Sequence, residues 1–196
     1  MVGACERRAV GAVDYLQCVT NRTSPVVFSG VPASGKTTLA LSLEKRGYSY
    51  FSLNGEDDAR RTKPAQQAAY AAYRRADVDG LLAALASSSD PVVVEWGFPP
   101  DDVCLQVANA LREAGARFVW FDCPIDIARR AFRKREQQRS QPIPLSAFDH
   151  QVRAIGLRHD LIIVALKPQI VHVRRGKTHR SLDDLVSEIF GARNAA

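Results

Sequence analysis

Cysteine is scarce in this sequence and long apolar runs are missing, and each absence excludes a class of protein. The 196 residues include only four cysteines, Cys5, Cys18, Cys104 and Cys123, and none of them forms a CxxC pair. A structural zinc site needs clustered ligands and a secreted disulfide framework needs denser cysteine, so we expect free thiols. The four histidines show no metal-ligand spacing either. No stretch approaches the roughly 18 consecutive apolar residues of a membrane span, so we expect no membrane partner.

The N-terminal segment also lacks the features of a secretory signal. It carries Glu6, Arg7, Arg8 and Asp14 and has no apolar run, so we expect a cytoplasmic protein. An apolar fraction of 46% and a charged fraction of 24% are ordinary for a globular chain. The length suits one domain, which we place at residues 25–196, with residues 1–24 as an N-terminal extension.

The positive charge is concentrated in one segment. The formal net charge is +6, and residues 129–139 contain six basic side chains against a single acid, Glu136. A uniformly basic surface would indicate general nucleic-acid binding, whereas one basic segment favours an element that handles phosphate.

Short apolar runs alternate with helical patterns along the chain. Strands are predicted at 26–28, 48–53, 92–94, 118–121 and 170–173, and helices at 36–46, 64–87, 102–114, 126–138, 145–165 and from 181 onward. Gly80 is a candidate break in the second helix. Because the runs are apolar on both faces, the pattern predicts an α/β fold in which helices cover both sides of a parallel sheet.

Residues 30–37, with the sequence GVPASGKT, match the phosphate-binding pattern GxxxxGK[ST] in full. The match directly follows an apolar strand and opens a helix, as phosphate binding by backbone N–H groups and a helix N-terminus requires. Lys36 would reach the β- and γ-phosphates, and the Thr37 hydroxyl would coordinate Mg²⁺. We therefore expect ATP and Mg²⁺ as cofactors, held by Gly30, Pro32, Ala33, Ser34, Gly35, Lys36, Thr37 and Thr38.

Acidic residues follow two other predicted strands. The second strand runs into residues 54–61, with the sequence NGEDDARR, and the third ends in Glu95. Ligands in such a sheet bind at the carboxyl ends of the strands, so these acids are expected near the phosphate loop. A carboxylate that ends a buried apolar strand is costly without a partner. We expect Glu95 to accept a hydrogen bond from a Mg²⁺-bound water.

Together these segments resemble the nucleoside-monophosphate-kinase-like group of P-loop kinases, and within it the polynucleotide-kinase-like (small AAA-type predicted kinase) branch. Residues 57–60 resemble the DDxR segment of phage polynucleotide kinases, and residues 95–99 resemble the DGFP segment of adenylate kinases. The resemblance implies a three-layer P-loop NTPase fold whose five parallel strands have the order 2-3-1-4-5. Two positions depart from the pattern. Glu95 replaces the usual aspartate, and Pro100 replaces a substrate-binding arginine, which argues against a simple nucleoside-monophosphate acceptor.

The resemblance also implies roles around the acceptor. Asp57 would be the base that activates the acceptor hydroxyl, with Asp58 as the alternative, and Arg60 would bind the acceptor or its phosphate. Helix N-capping is the competing explanation for the two aspartates. Trp96 and Phe98 would line the acceptor pocket, although aromatic residues near a strand end also occur as core.

The resemblance further implies that the basic segment is part of a lid at about residues 126–145. Arg133 and Arg135 would stabilise the transferring phosphoryl group, because a planar guanidinium suits dispersed negative charge. A solvated basic helix face is the alternative. The predicted function is transfer of the γ-phosphoryl group of ATP to a hydroxyl of a small molecule or of a nucleic-acid 5′ end. The alternative function is an ATP-binding regulator or ATPase that acts through a partner. The sequence does not distinguish ATP from GTP, and it is silent on oligomeric state.

Overall fold

A computed structural model describes residues 24–55, 61–97 and 101–191. The predicted five-stranded parallel sheet is confirmed. Its strands are β1 (Val26–Gly30), β2 (Ser49–Ser52), β3 (Val92–Glu95), β4 (Arg117–Asp122) and β5 (Gln169–His172). They pair in the order β2-β3-β1-β4-β5, with every neighbouring pair parallel. Almost all of the expected N-terminal extension lies outside the described residues.

Eight helices are found in the described part of the chain. They are α1 (Lys36–Glu44), α2 (Pro64–Arg74), α3 (Val78–Ala86), α4 (Asp102–Glu113), α5 (Ile125–Glu136), α6 (Leu145–Leu157), α7 (His159–Leu166) and α8 (Leu182–Phe190). A small antiparallel hairpin of β6 (Arg174–Arg175) and β7 (Thr178–His179) follows β5. Among the described residues, no helix has the length and apolar character that crossing a membrane requires.

The sequence predicted one helix over residues 64–87, and the structure contains two. The break lies at Ala76, whose φ of 54° ends the helical path, and not at Gly80. The side chain of Asp77 then caps α3 by accepting a 2.9 Å hydrogen bond from the Gly80 amide. A Cβ atom at position 80 would lie 2.3 Å from the Asp77 carboxylate, so this glycine makes room for the cap.

Side chains alternate between two apolar layers along each central strand. In β1, Val27 faces the layer covered by α2, α3, α4 and α7, while Val26 and Phe28 face the layer covered by α1, α5 and α8. This alternation is the period-two geometry of a strand that is buried on both faces. The sheet therefore forms the middle of three layers, and its carboxyl edge carries the phosphate loop between β1 and α1.

Candidate active site

The phosphate loop depends on glycine at its first position. Gly30 has a φ of +120°, and a Cβ atom there would lie 2.4 Å from the carbonyl oxygen of Phe121 on β4. The next residue, Val31, donates its backbone N–H to that same oxygen at 3.3 Å. Further along, Ala33 and Gly35 also have positive φ angles, of 60° and 96°. The chain thus turns tightly against β4 before α1 begins, as a loop that exposes its backbone N–H groups requires.

The side chain of Lys36 is folded into this loop. Its Nζ donates to the carbonyl of Val31 at 2.7 Å, to the carbonyl of Gly30 at 3.1 Å and to Ser34 Oγ at 3.3 Å. Burial lowers the pKa of Lys36 to about 8, against the raising effect of the Glu95 carboxylate. The buried ammonium has lost its hydrating water. A phosphate brought to this position would replace that lost stabilisation and would therefore be strongly attracted.

The two predicted Mg²⁺ residues are in direct contact. Glu95 is only 4% exposed, and its carboxylate accepts a 2.5 Å hydrogen bond from Thr37 Oγ1. Its other oxygen accepts from the hydroxyl of Tyr50 on β2. The register of the sheet explains this grouping, because Glu95 at the end of β3 pairs with Phe28 of β1 on one side and Ser52 of β2 on the other.

Hydroxyl and carboxylate oxygens are ligands that Mg²⁺ accepts, so the Thr37 and Glu95 side chains fit the ion. No group of three or more His, Cys, Asp or Glu side chains suited to a metal occurs within the described ranges. Mg²⁺ usually keeps several waters and binds through one or two protein oxygens together with substrate phosphates.

The acidic loop between β2 and α2 is described only at its two ends. Four predicted site residues, Asp57, Asp58, Arg60 and Phe98, lie outside the described residues. At the end of the loop, the buried Arg61 donates to the carbonyl of Asn54 at 2.7 Å and to the carbonyl of Gly55 at 2.5 Å. The Arg61 guanidinium also stacks on the Tyr70 ring, 3.7 Å from its centre. Arg61 therefore connects the two ends of the acidic loop and holds them against α2.

Asn54 also joins this loop to the segment after β3. Its side-chain oxygen accepts a 2.5 Å hydrogen bond from the Gly97 amide, and Gln151 on α6 donates to the Gly97 carbonyl at 3.3 Å. Trp96 is fully buried in the core, with the Tyr73 ring 5.6 Å away in an edge-on arrangement. This placement matches the core alternative for Trp96, and a role in the acceptor pocket stays a prediction.

The two arginines predicted for the lid have different surroundings. The positive charge of Arg135 adds to the lowering of the Lys36 pKa by burial. Arg133 instead lines a cavity of about 240 Å³ between the end of α5 and the start of α6. The other residues that line the cavity are Phe132, Glu136, Gln137, Arg139, Pro142, Ile143 and Leu145. Arg135 is thus within electrostatic range of Lys36, whereas Arg133 lines this cavity.

Sequence reasoning missed two side chains that shape this site, Tyr50 and Arg61. Each leaves a weak signal in the sequence. Tyr50 is a polar-tipped ring within a buried strand, and Arg61 immediately follows the DDxR segment. Neither of these signals names the partner that the side chain contacts.

A family model described as an AAA domain matches residues 26–157, which is more than half of the chain and includes the phosphate loop, Glu95 and α5. The chain belongs to this AAA domain family. No curated protein matches its sequence.

Solved structures of a kinase and of two other proteins are similar to this family member. Shikimate kinase from Bacteroides thetaiotaomicron has a TM-score of 0.52 and 16% sequence identity, covering 84% of this chain and 95% of that one. The tunicamycin resistance protein of Deinococcus radiodurans has a TM-score of 0.52 and 15% identity, covering 86% and 96%. A chain of the Pnkp1/Rnl/Hen1 RNA repair complex has a TM-score of 0.52 and 18% identity, covering 72% and 47%. At these identities the likeness shows the fold, which is that of P-loop kinases.

Proposed function

We propose that this protein is an ATP-dependent phosphotransferase that moves the γ-phosphoryl group of ATP onto a hydroxyl acceptor. The observation that carries the proposal is the contact between Thr37 and Glu95 beside the buried amine of Lys36. A phosphate-binding loop, a buried carboxylate at the neighbouring strand end and an arginine-bearing helix are the parts that phosphoryl transfer requires. The kinase fold supports the same reaction class.

Nucleotide binding would use the phosphate loop and the side chains beside it. The backbone N–H groups of the loop and the N-terminus of α1 attract the phosphates. Lys36 exchanges the carbonyls of Gly30 and Val31 for phosphate oxygens, which offsets the cost of its burial. Thr37 and Glu95 would hold Mg²⁺. Mg²⁺, when bound, offsets the charge of the β- and γ-phosphates.

The acceptor step needs a base and groups that offset developing charge. The acceptor oxygen forms a bond to the γ-phosphorus while the bond from that phosphorus to the bridging oxygen of ADP breaks. Asp57, with Asp58 as the alternative, takes the hydroxyl proton. Arg60 binds the acceptor, while Arg135 offsets charge on the transferring group. Residues of about 126–145 act as the lid of a single domain over 25–196.

The remaining predicted residues have supporting roles in this proposal. Arg133 approaches the phosphate when the lid closes, and Trp96 and Phe98 limit the acceptor pocket. The acceptor is a small molecule or a nucleic-acid 5′-hydroxyl in the cytoplasm. A chain of the Pnkp1/Rnl/Hen1 RNA repair complex shares the fold. For this reason 5′-hydroxyl oligonucleotides are included among the acceptors to be tested.

An acceptor screen tests the proposal. ADP formation would be measured with Mg²⁺–ATP and a panel of 5′-hydroxyl oligonucleotides, nucleosides, sugars and aminoglycosides. We expect one class to stimulate ADP formation and to become phosphorylated. Lys36→Ala should abolish the reaction, and Asp57→Asn should reduce kcat by at least about 100-fold while ATP still binds.

Other outcomes would change the proposal in defined ways. Wild-type transfer by Asp57→Asn would remove the base assignment. ATP hydrolysis that no acceptor changes would favour an ATPase that acts through a partner. If ATP neither binds nor raises the melting temperature, the proposed function is wrong.

A further inference from the structure

Glu136 is a buried acid in the most basic segment of the chain. It is the last residue of α5 and its side chain is 6% exposed, whereas the side chains of Arg135 and Arg139 are 50% and 49% exposed. A carboxylate at the C-terminus of a helix is opposed by the helix dipole, and burial adds to that cost. The position therefore needs strong compensating contacts.

Three donors from two parts of the lid meet at this carboxylate. Arg135 Nε donates to Glu136 Oε1 at 2.8 Å, and Arg139 Nη1 approaches the same oxygen at 3.5 Å. The other oxygen accepts a 2.9 Å hydrogen bond from the backbone N–H of Ile143. Glu136 thus joins the end of α5 to the connection of residues 137–144 that leads to α6.

The contacts made by Glu136 lower its pKa by more than burial raises it. Desolvation alone raises the pKa of Glu136, but the Ile143 amide and the Arg135 guanidinium together leave it below its usual value. The carboxylate is therefore ionised at neutral pH. Its hydrogen bond to Arg135 is a charge-assisted contact, which is stronger than a neutral one.

Two contacts hold the guanidinium of Arg135, one at an edge and one at a face. The Nε edge is held by Glu136, and the guanidinium carbon lies 5.0 Å from the centre of the Phe132 ring. The two terminal Nη groups are not used in either contact. The positive charge of Arg135 adds to the lowering of the Lys36 pKa, so the guanidinium lies within electrostatic range of the phosphate loop.

We propose that Glu136 is a positioning residue that orients Arg135 towards the γ-phosphate of bound ATP and couples this orientation to the 137–144 connection through the Ile143 amide. The inference rests on the proposed function, because it assigns Arg135 to the γ-phosphate. Glu136 itself contacts neither the nucleotide nor the acceptor and acts only through Arg135.

A binding experiment tests this without any acceptor. Titration calorimetry would measure the affinities for a non-hydrolysable ATP analogue and for ADP, each with Mg²⁺, and their ratio reports contacts to the γ-phosphate. We expect Arg135→Ala and Glu136→Gln each to lower the ratio about 10-fold, the loss of one charge-assisted contact. Because Glu136 acts through Arg135, the double variant should lose no more than Arg135→Ala alone.

A matched control lies outside the proposed lid. Asp149 on α6 is also a carboxylate that pairs with an arginine of α5, Arg129, at 2.8 Å, but its side chain is 46% exposed. Asp149→Asn should leave the ratio at the wild-type value. Glu136→Asp keeps the charge on a shorter side chain, so it should recover part of the ratio. If Glu136→Gln does not fold, Glu136→Asp with and without Arg135→Ala gives the same cycle.

The outcomes separate this inference from the proposed function. If Arg135→Ala lowers the ratio and Glu136→Gln does not, the inference about Glu136 is wrong and the role of Arg135 stands. Additive losses in the double variant, or a lower melting temperature with an unchanged ratio, would show a purely structural role for Glu136. If Arg135→Ala leaves the ratio unchanged, the role that the proposed function gives to Arg135 fails.

Discussion

The hydroxyl of Thr37 donates a 2.5 Å hydrogen bond to the carboxylate of Glu95, across 58 residues of sequence. The two residues meet because β3 lies beside β1 in the sheet and both strands end at the same edge. Tyr50 on the next strand donates to the other carboxylate oxygen, so the carboxylate is held from both sides. A carboxylate fixed in this way is suited to orient a water of Mg²⁺ at the phosphate loop.

Replacing Glu95 should make ATP binding less dependent on Mg²⁺. Glu95→Gln keeps the size of the side chain but removes the charge that an ordered Mg²⁺–water contact needs. We expect the gain in ATP affinity on adding Mg²⁺ to fall at least about 10-fold, which is typical of losing an outer ligand contact. Calorimetric titrations with and without Mg²⁺ measure this gain. Glu113→Gln, the same change at an exposed position on α4, should behave as wild type. A full Mg²⁺ response in Glu95→Gln would contradict the assignment.

ATP affinity should also fall as the pH rises above about 8. Burial lowers the pKa of Lys36 to about 8, so the free protein loses the attracting ammonium above that pH. Each further pH unit should then weaken ATP binding about 10-fold, because binding requires the proton to return. Titrations between about pH 7 and pH 9.5 test the prediction, and Lys36→Met should show no such fall.

The same shift has a defined sign for stability. The folded pKa lies below the unfolded value of 10.5, so the unfolded chain binds more protons between about pH 8 and 10.5. In that window the contribution of Lys36 to folding stability rises with pH. Lys36→Met should lack this rise. For the binding prediction, an ATP affinity of the wild type that does not change between about pH 7 and pH 9.5 would show that Lys36 does not supply the attracting charge.

The predictable parts of this molecule are those encoded by neighbouring residues. The strands were predictable because their apolar runs end at charged or turn residues, and the phosphate loop because eight consecutive residues define it. Arg61 and Glu136 were not, since both bind backbone groups, which every residue supplies, and only the folded loops bring them near. The break at Ala76 was hidden for a related reason. Alanine favours helix, and nothing in the local sequence requires it to take a left-handed conformation.

Arg61 should be needed for both stability and transfer. Arg61→Lys keeps the positive charge but cannot bind the carbonyls of Asn54 and Gly55 with a planar fork. We expect the free energy of unfolding to fall by about 1–3 kcal/mol, the cost of a buried polar group left without its partner. Phosphoryl transfer should fall as well, because Arg61 joins the ends of the loop that contains Asp57.

Urea denaturation and transfer kinetics measure the two effects of Arg61→Lys. Arg75→Lys is the matched control, since the Arg75 side chain is 65% exposed and pairs with Asp77 at 3.7 Å. An exposed ion pair of this kind contributes at most about 1 kcal/mol. Equal effects of the two substitutions on stability and rate would show that the loop does not depend on the guanidinium of Arg61.

Gly30 should tolerate a methyl group far less well than Gly47, although both have positive φ angles, of +120° and +90°. At Gly47 an added Cβ meets nothing within 4 Å, so Gly47→Ala should cost only the backbone strain, about 1–2 kcal/mol. At Gly30 the Cβ would lie 2.4 Å from the Phe121 carbonyl oxygen, and β1 would have to separate from β4. We expect Gly30→Ala to lose clearly more unfolding free energy in urea and to lose ATP binding, whereas Gly47→Ala keeps it. Equal losses would mean that the phosphate loop can move away from β4 at little cost.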